Sequence, residues 1–121
     1  MNQGRVLIVE NYSDLLMLIG ETMRQRHYRC DAVHDADEAL TKLKSGEEYA
    51  SILLDVTWPV TTNPVIRYLR SERPDELRKV IVMTAFDPHY LGLDELQEIC
   101  TFLKKPFGID ELFARLAHCA P

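Results

Sequence analysis

Three short runs of this chain are apolar without interruption: Val6-Leu7-Ile8-Val9, Ile52-Leu53-Leu54 and Val80-Ile81-Val82-Met83. A strand that alternates polar and apolar residues can lie on a surface. One that is apolar at every position must be covered on both faces, as central parallel strands are. Longer stretches of helical period separate the runs, and strands alternating with helices are the signature of βα units on a parallel sheet. The predicted fold is therefore α/β, a doubly wound sheet of five parallel strands with five helices in three α/β/α layers. At 121 residues, the whole chain, 1–121, is expected to form one domain around its own core.

Strands are expected at Arg5 to Val9, Arg29 to Val33, Tyr49 to Leu54, Lys79 to Met83 and Thr101 to Leu103. Ser13 is the expected N-cap of the first helix, with Asp14 at the positive end of its dipole. Leu15, Leu16, Ile19 and Met23 give that helix a buried stripe up to about Arg26. The second helix begins around Asp35, buries Ala36, Ala39, Leu40 and Leu43, and stops at Ser45-Gly46. Pro64 suits a first turn, so the third helix starts near Asn63 or Pro64, buries Val65, Ile66 and Leu69, and ends before Pro74. A short, exposed, mobile fourth helix is expected around Leu93, Leu96 and Ile99 or Cys100, its period weakened by Gly92, Asp94, Glu95 and Glu98. The fifth runs from about Ile109 to Cys119, with Ile109, Leu112, Phe113 and Leu116 facing inward.

In this arrangement Glu10 with Asn11, Asp55, Thr84 and Lys105 each lie just beyond the carboxyl end of a different strand. Open doubly wound sheets bind ligands in the crevice outside those ends. A carboxylate, a hydroxyl and an ammonium gathered there suit phosphoryl chemistry. Asp55 can attack phosphorus, Thr84 can hydrogen-bond a phosphoryl oxygen, and Lys105 can balance charge on an acyl phosphate and its transition state. The part still needed is a hard cation, magnesium, for which Glu10 and Asn11 offer oxygen ligands beside Asp55.

Several function classes are excluded. A net charge of −5 disfavours nucleic acid as a partner, since such affinity comes from Lys and Arg neutralising phosphates. No apolar run approaches the length of a membrane span and no secretory leader precedes the first strand, so the chain is expected in the cytoplasm. Cys30, Cys100 and Cys119 form no C-x-x-C pair and read as reduced packing residues. His27, His34, His89 and His118 have no metal-ligand spacing. The basic cluster Arg24 to Arg29 is explained by cations favouring a helix C-terminus.

The blocks V-L-I-V-E-N, I-L-L-D-V-T-W-P, V-I-V-M-T-A and F-L-K-K-P-F, in this order and at these separations, resemble the receiver domain of bacterial two-component response regulators, chemotaxis-regulator-like in form. The resemblance covers essentially the whole chain. It implies strand order 2-1-3-4-5, flavodoxin-like, with Asp55 as the phosphoacceptor served by a histidine kinase or histidine phosphotransfer protein. It also implies Thr84 as switch hydroxyl, Phe102 as switch aromatic, Lys105 as the site lysine, and a cis bond between Lys105 and Pro106. The implied magnesium ligands are Glu10, Asn11, Asp55 and the backbone carbonyl of Thr57. Output to a downstream protein or domain would pass through the face of helix 4, strand 5 and helix 5, which could also form a homodimer. Only self-catalysed phosphotransfer and dephosphorylation are expected, so the chain is not an enzyme in the usual sense.

The departures from the family pattern are specific. Asn11 stands where a second acid is usual, which removes a full charge from the cation site and weakens magnesium binding. Thr61-Thr62-Asn63 replaces Met-Asp-Gly, and Trp58 and Phe86 are bulky residues beside the pocket. Asn11 is also the main support for an alternative, a phosphorylation-independent pseudo-receiver acting as an interaction module. An aspartyl phosphatase is disfavoured because Thr57 occupies the place of its second acid, and a flavin domain because Glu10-Asn11-Tyr12 is no phosphate cradle. Without an output domain, the sequence fits a single-domain regulator, a relay intermediate or the receiver part of a longer protein.

Overall fold

A computed structural model describes residues 4–57, 62–87 and 97–119. Five strands form one sheet: β1 (Arg5–Val9), β2 (Arg29–Val33), β3 (Ser51–Asp55), β4 (Val80–Thr84) and β5 (Thr101–Lys104). Their order is β2-β1-β3-β4-β5 and every pairing is parallel. Around the sheet lie α1 (Ser13–Gln25), α2 (Ala36–Lys44), α3 (Pro64–Glu72), a 3-10 helix (Pro74–Lys79) and α4 (Ile109–Cys119). Among the described residues no helix is long and apolar enough to cross a membrane.

The uninterrupted apolar runs are explained by two separate cores. Leu7, Val9, Ile52, Leu54, Val80 and Val82 point to one face, where Ala39 and Leu43 of α2 and Val65, Ile66 and Leu69 of α3 cover them. Val6, Ile8, Leu53, Ile81, Met83 and Leu103 point to the other, under Leu16, Ile19 and Met23 of α1 and Leu112 and Leu116 of α4. Each fully buried Leu or Ile contributes roughly 2 kcal/mol by leaving water, so the central strands are committed to this sandwich.

Asp35 caps α2, its carboxylate accepting the Glu38 N–H at 2.9 Å. Asn63 caps α3 by accepting from the N–H groups of Val65 and Ile66 at 2.9 and 3.2 Å, with Pro64 in the first turn where its missing N–H is harmless. Gly46 follows α2 with φ +91°, a conformation that glycine adopts freely. The Lys105-Pro106 peptide bond is cis.

Other expectations are corrected. The N-cap of α1 is Tyr12, not Ser13, and it makes no side-chain cap bond. The third strand starts at Ser51, because Tyr49 is instead buried with its hydroxyl donating to Asp31 at 2.7 Å. The third helix ends at Glu72, before Pro74 as expected, and Pro74 opens a 3-10 helix, not foreseen, that leads into β4. Ile109 is exposed and Phe113 only half-buried, so the inner stripe of α4 is Leu112, Leu116 and Cys119. Of the expected fourth helix, Gly92, Leu93, Asp94, Glu95 and Leu96 lie outside the described residues, whereas Gln97 to Ile99 form turn and bend. Cys100 already belongs to the sheet edge, its N–H donating to Val80 O at 3.0 Å. Cys100 and Cys119 are not reduced packing residues but a disulfide, leaving Cys30 as the free thiol.

Candidate functional site

The parallel register sets the site. Val9 pairs with Leu54, Asp55 with Met83 and Thr84 with Lys104, so Glu10 and Lys105, the first residues past β1 and β5, emerge at the carboxyl end of the sheet together with Asp55 and Thr84. Asp55 and Thr84 are the last residues of β3 and β4 and not, as expected, the first beyond them. Backbone bonds hold these exits: Glu10 N–H donates to Val33 O at 3.1 Å, Val56 N–H to Met83 O at 2.9 Å, and Lys105 N–H to Thr84 O at 2.6 Å.

Lys105 is the centre of the network. Its Nζ donates to Glu10 Oε1 at 2.6 Å and to Asp55 Oδ1 at 3.0 Å. Glu10 is 1% exposed, a level at which an ionised carboxylate requires partners, and its other oxygen accepts the Tyr12 N–H at 3.1 Å. That last bond satisfies the amide of Tyr12, the N-cap of α1, whose own side chain makes no cap bond. Burial works against the charge of Lys105, but hydrogen bonds to Glu10 and Asp55 and the negative charge of both outweigh it, so the ammonium is held above the usual lysine range. The lysine is a fixed cation at neutral pH.

Thr84 is fully buried, and its hydroxyl oxygen accepts the Phe86 N–H at 3.0 Å instead of joining the Lys105 network. Phe86 itself is exposed. Phe102 sits on β5 opposite Val82, about at the boundary of exposure, and so has room to change rotamer. Trp58 lies outside the described residues.

Beside Asp55 opens a cleft of about 170 Å³ lined by Asn11, Thr57, Asp35 and Asn63 together with Val9, Leu54, Ala36 and Val65. The Asp55 carboxylate and the amide oxygen of Asn11 can offer oxygen ligands in this cleft, which Thr57 also lines, a set suited to a hard, hydrated cation. Among the described residues no three His, Cys, Asp or Glu side chains cluster as a metal site. Oxygen ligands are compatible with this nonetheless, because Asn11 and Thr57 would contribute neutral oxygens and are not of those residue types. Glu10 has both oxygens engaged by Lys105 and Tyr12 and does not line this cleft.

Asp35 and Asn63 were legible only as places where helices start. Their place on the cleft wall follows from capping itself, since α2 and α3 both start at the carboxyl edge of the sheet.

Comparison with known proteins agrees with this geometry. The model of the response regulator receiver domain matches residues 6–117. The transcriptional regulatory protein TcrA of Mycobacterium tuberculosis is 31% identical over 116 residues, which cover 93% of this chain and 44% of that protein. Response regulator ArlR of Staphylococcus saprophyticus is 30% identical over 115 residues, covering 93% of this chain and 50% of that one. The chain thus spans about half the length of the curated relatives it matches. Among solved structures, the response regulator TrrA of Thermotoga maritima in complex with Mg(2+)-BeF superposes with a TM-score of 0.78 at 26% identity, over 98% of this chain and 99% of that one. A match that runs from β1 into α4 takes in all four strand ends that meet at Lys105, and the chain belongs to the response regulator receiver domain family of two-component signalling.

Proposed function

We propose that Asp55 is the phosphoacceptor of this receiver domain and takes its phosphoryl group from a phosphohistidine on a histidine kinase or histidine phosphotransfer protein. The observation carrying this reading is Lys105 Nζ, held between Glu10 and Asp55 at 2.6 and 3.0 Å. A carboxylate oxygen of Asp55 attacks phosphorus, the phosphorus–nitrogen bond breaks, and the imidazole leaves with the electron pair. Lys105, anchored by Glu10, stays beside the developing acyl phosphate and balances its charge. The Thr84 hydroxyl donates a hydrogen bond to a phosphoryl oxygen, and Phe102 responds by changing rotamer.

Asn11, Asp55 and the Thr57 carbonyl would hold a magnesium ion, with Glu10 acting through Lys105 rather than as a direct ligand. When bound, the ion supplies charge neutralisation and orientation of the phosphoryl oxygens. A neutral amide at Asn11 makes that binding weak. Hydrolysis of the acyl phosphate by water, aided by the same groups, is the only turnover expected. Residues 1–121 act as one cytoplasmic receiver unit and signal to a downstream protein or domain through the face of the expected fourth helix, β5 and the last helix, α4. The same face would carry any homodimer.

The test is intact-protein mass after incubation with acetyl phosphate, with and without magnesium, on wild type and Asp55→Asn. A magnesium-dependent phosphoryl adduct confined to wild type is expected. An adduct on Asp55→Asn would overturn the assignment of Asp55, and none on folded wild type at high magnesium would identify a phosphorylation-independent interaction module.

A further inference from the structure

We propose that Cys100 and Cys119 form a redox-reversible cross-link that fastens the last turn of α4 to the start of β5. Their Cα atoms lie 6.0 Å apart, within the span a disulfide bridges without moving the backbone. Both residues occupy mechanically important places. Cys100 directly precedes β5 and pairs its N–H with Val80 O, while Cys119 ends α4 on the same buried stripe as Leu112 and Leu116.

Other contacts already bring the two thiols together. Arg115 Nη1 donates to Thr101 Oγ1 at 3.3 Å, and Leu103 of β5 packs in one cluster with Leu112 and Leu116. The thiols therefore stay within reach of one another after the bond opens, which reversibility requires. Cys119 is 8% exposed, whereas Cys100 is half-buried and so the more accessible residue of the two. Cys30 stands apart on the edge strand β2, against Met23 Sδ at 4.0 Å, and burial pushes its thiol up to about 11, which keeps it protonated and slow.

Closure by glutathione disulfide balances as two exchanges. The Cys100 thiolate attacks one glutathione sulfur, the glutathione S–S bond breaks, and one glutathione leaves as thiolate. The Cys119 thiolate then attacks the Cys100 sulfur and expels the second glutathione. The two protein thiols lose two electrons and two protons, the oxidant gains them as two thiols, and reduced glutathione runs the sequence backwards. Where disulfides occur in a reducing compartment they are usually transient and redox-sensing, so the cross-link reads the thiol poise around the domain. Closing a loop across 19 residues removes freedom from the unfolded chain and holds the end of α4 in place. Opening it lets that turn fray from the face that β5 and α4 share.

The experiment equilibrates the full chain in reduced or oxidised glutathione buffers, quenches by alkylation in denaturant, and reads thiol number, non-reducing peptide maps and Tm. Three alkylated cysteines are expected in the reduced sample. One is expected in the oxidised sample, Cys30, with a linked Cys100–Cys119 peptide and a Tm higher by roughly 5–15 °C. Cys30→Ser should retain the redox-dependent Tm shift, and Cys100→Ser or Cys119→Ser should lose it. Three free thiols in the oxidised buffer, linkage through Cys30, a bond that excess reduced glutathione leaves closed, or equal Tm in both buffers would each overturn the proposal. Thiol number and peptide maps on wild type decide it even where a serine variant fails to fold.

Discussion

Replacing Lys105 with Met removes the cation from the buried network while keeping most of the side-chain volume. At an effective dielectric of about 20, each of its contacts, 2.6 Å to Glu10 and 3.0 Å to Asp55, is worth about 6 kcal/mol of gross attraction. Most of that is cancelled by desolvation and by repulsion between the two carboxylates. The loss that remains is set by Glu10, which is 1% exposed and would keep only the Tyr12 N–H. Removing one partner of a buried pair costs several kcal/mol, and partial solvent access at Lys105 and Asp55 brings the expected loss for Lys105→Met to about 3 kcal/mol at pH 7. That corresponds to roughly 10 °C in Tm for a domain of this size.

The pH dependence has a definite sign. Lys105 has a folded-state pKa above its unfolded value, so its contribution is fully present below the ordinary lysine range and is lost as pH rises through the folded value. The gap between wild type and Lys105→Met should therefore be constant from pH 6 to 9 and narrow above about 10.5. Urea unfolding followed by circular dichroism measures it. A cycle with Glu10→Gln should return a coupling of about 1–3 kcal/mol. A loss under about 1 kcal/mol, with no coupling to Glu10→Gln, would refute the view that Glu10 depends on Lys105.

Further outcomes follow from the cleft and the caps. Asn11→Asp adds a carboxylate beside Asp55 and Asp35, so it should raise magnesium affinity about tenfold in calorimetric titration and lower stability without the ion by about 0.5–1 kcal/mol. Unchanged affinity would remove Asn11 from the cation site. Asn63→Ala loses an oxygen that serves two N–H groups and should cost about 1 kcal/mol by urea unfolding. Gly4→Ala should cost about 1–3 kcal/mol in the same assay, because Gly4 has φ +78° and an added Cβ would meet Ala50 Cβ at 2.7 Å. A neutral result there would mean that the turn into β1 relaxes freely.

The features legible in the sequence are those a few neighbouring residues decide. The apolar runs at Val6, Ile52 and Val80 revealed their strands because burial on both faces leaves no polar position to obscure them. Asp35 and Pro64 marked helix starts because such signals act within the first turn. Carboxyl-end placement of Glu10, Asp55, Thr84 and Lys105 followed from strand ends alone. What sequence reading missed depends on groups distant along the chain. Ser13 has the chemistry of a cap, yet Glu10, itself held by Lys105, takes the Tyr12 amide. Cys100 and Cys119 meet only because α4 packs back on β5. Pro74 marked the end of α3, but the 3-10 helix it opens went unread, since a proline at the first position of such a turn forfeits no bond.

The contact from Lys105 to Glu10 joins residues 95 positions apart and that to Asp55 joins residues 50 apart. Neither end can hold the other until β5 has docked against β4, because the lysine follows directly from that outermost strand. A nascent or partly unfolded chain lacking that last pairing has its aspartate but no lysine beside it. With Asp55 as the proposed phosphoacceptor, competence to take a phosphoryl group would be tied to completion of the sheet, and a chain that has not finished folding would stay silent to the phosphodonor.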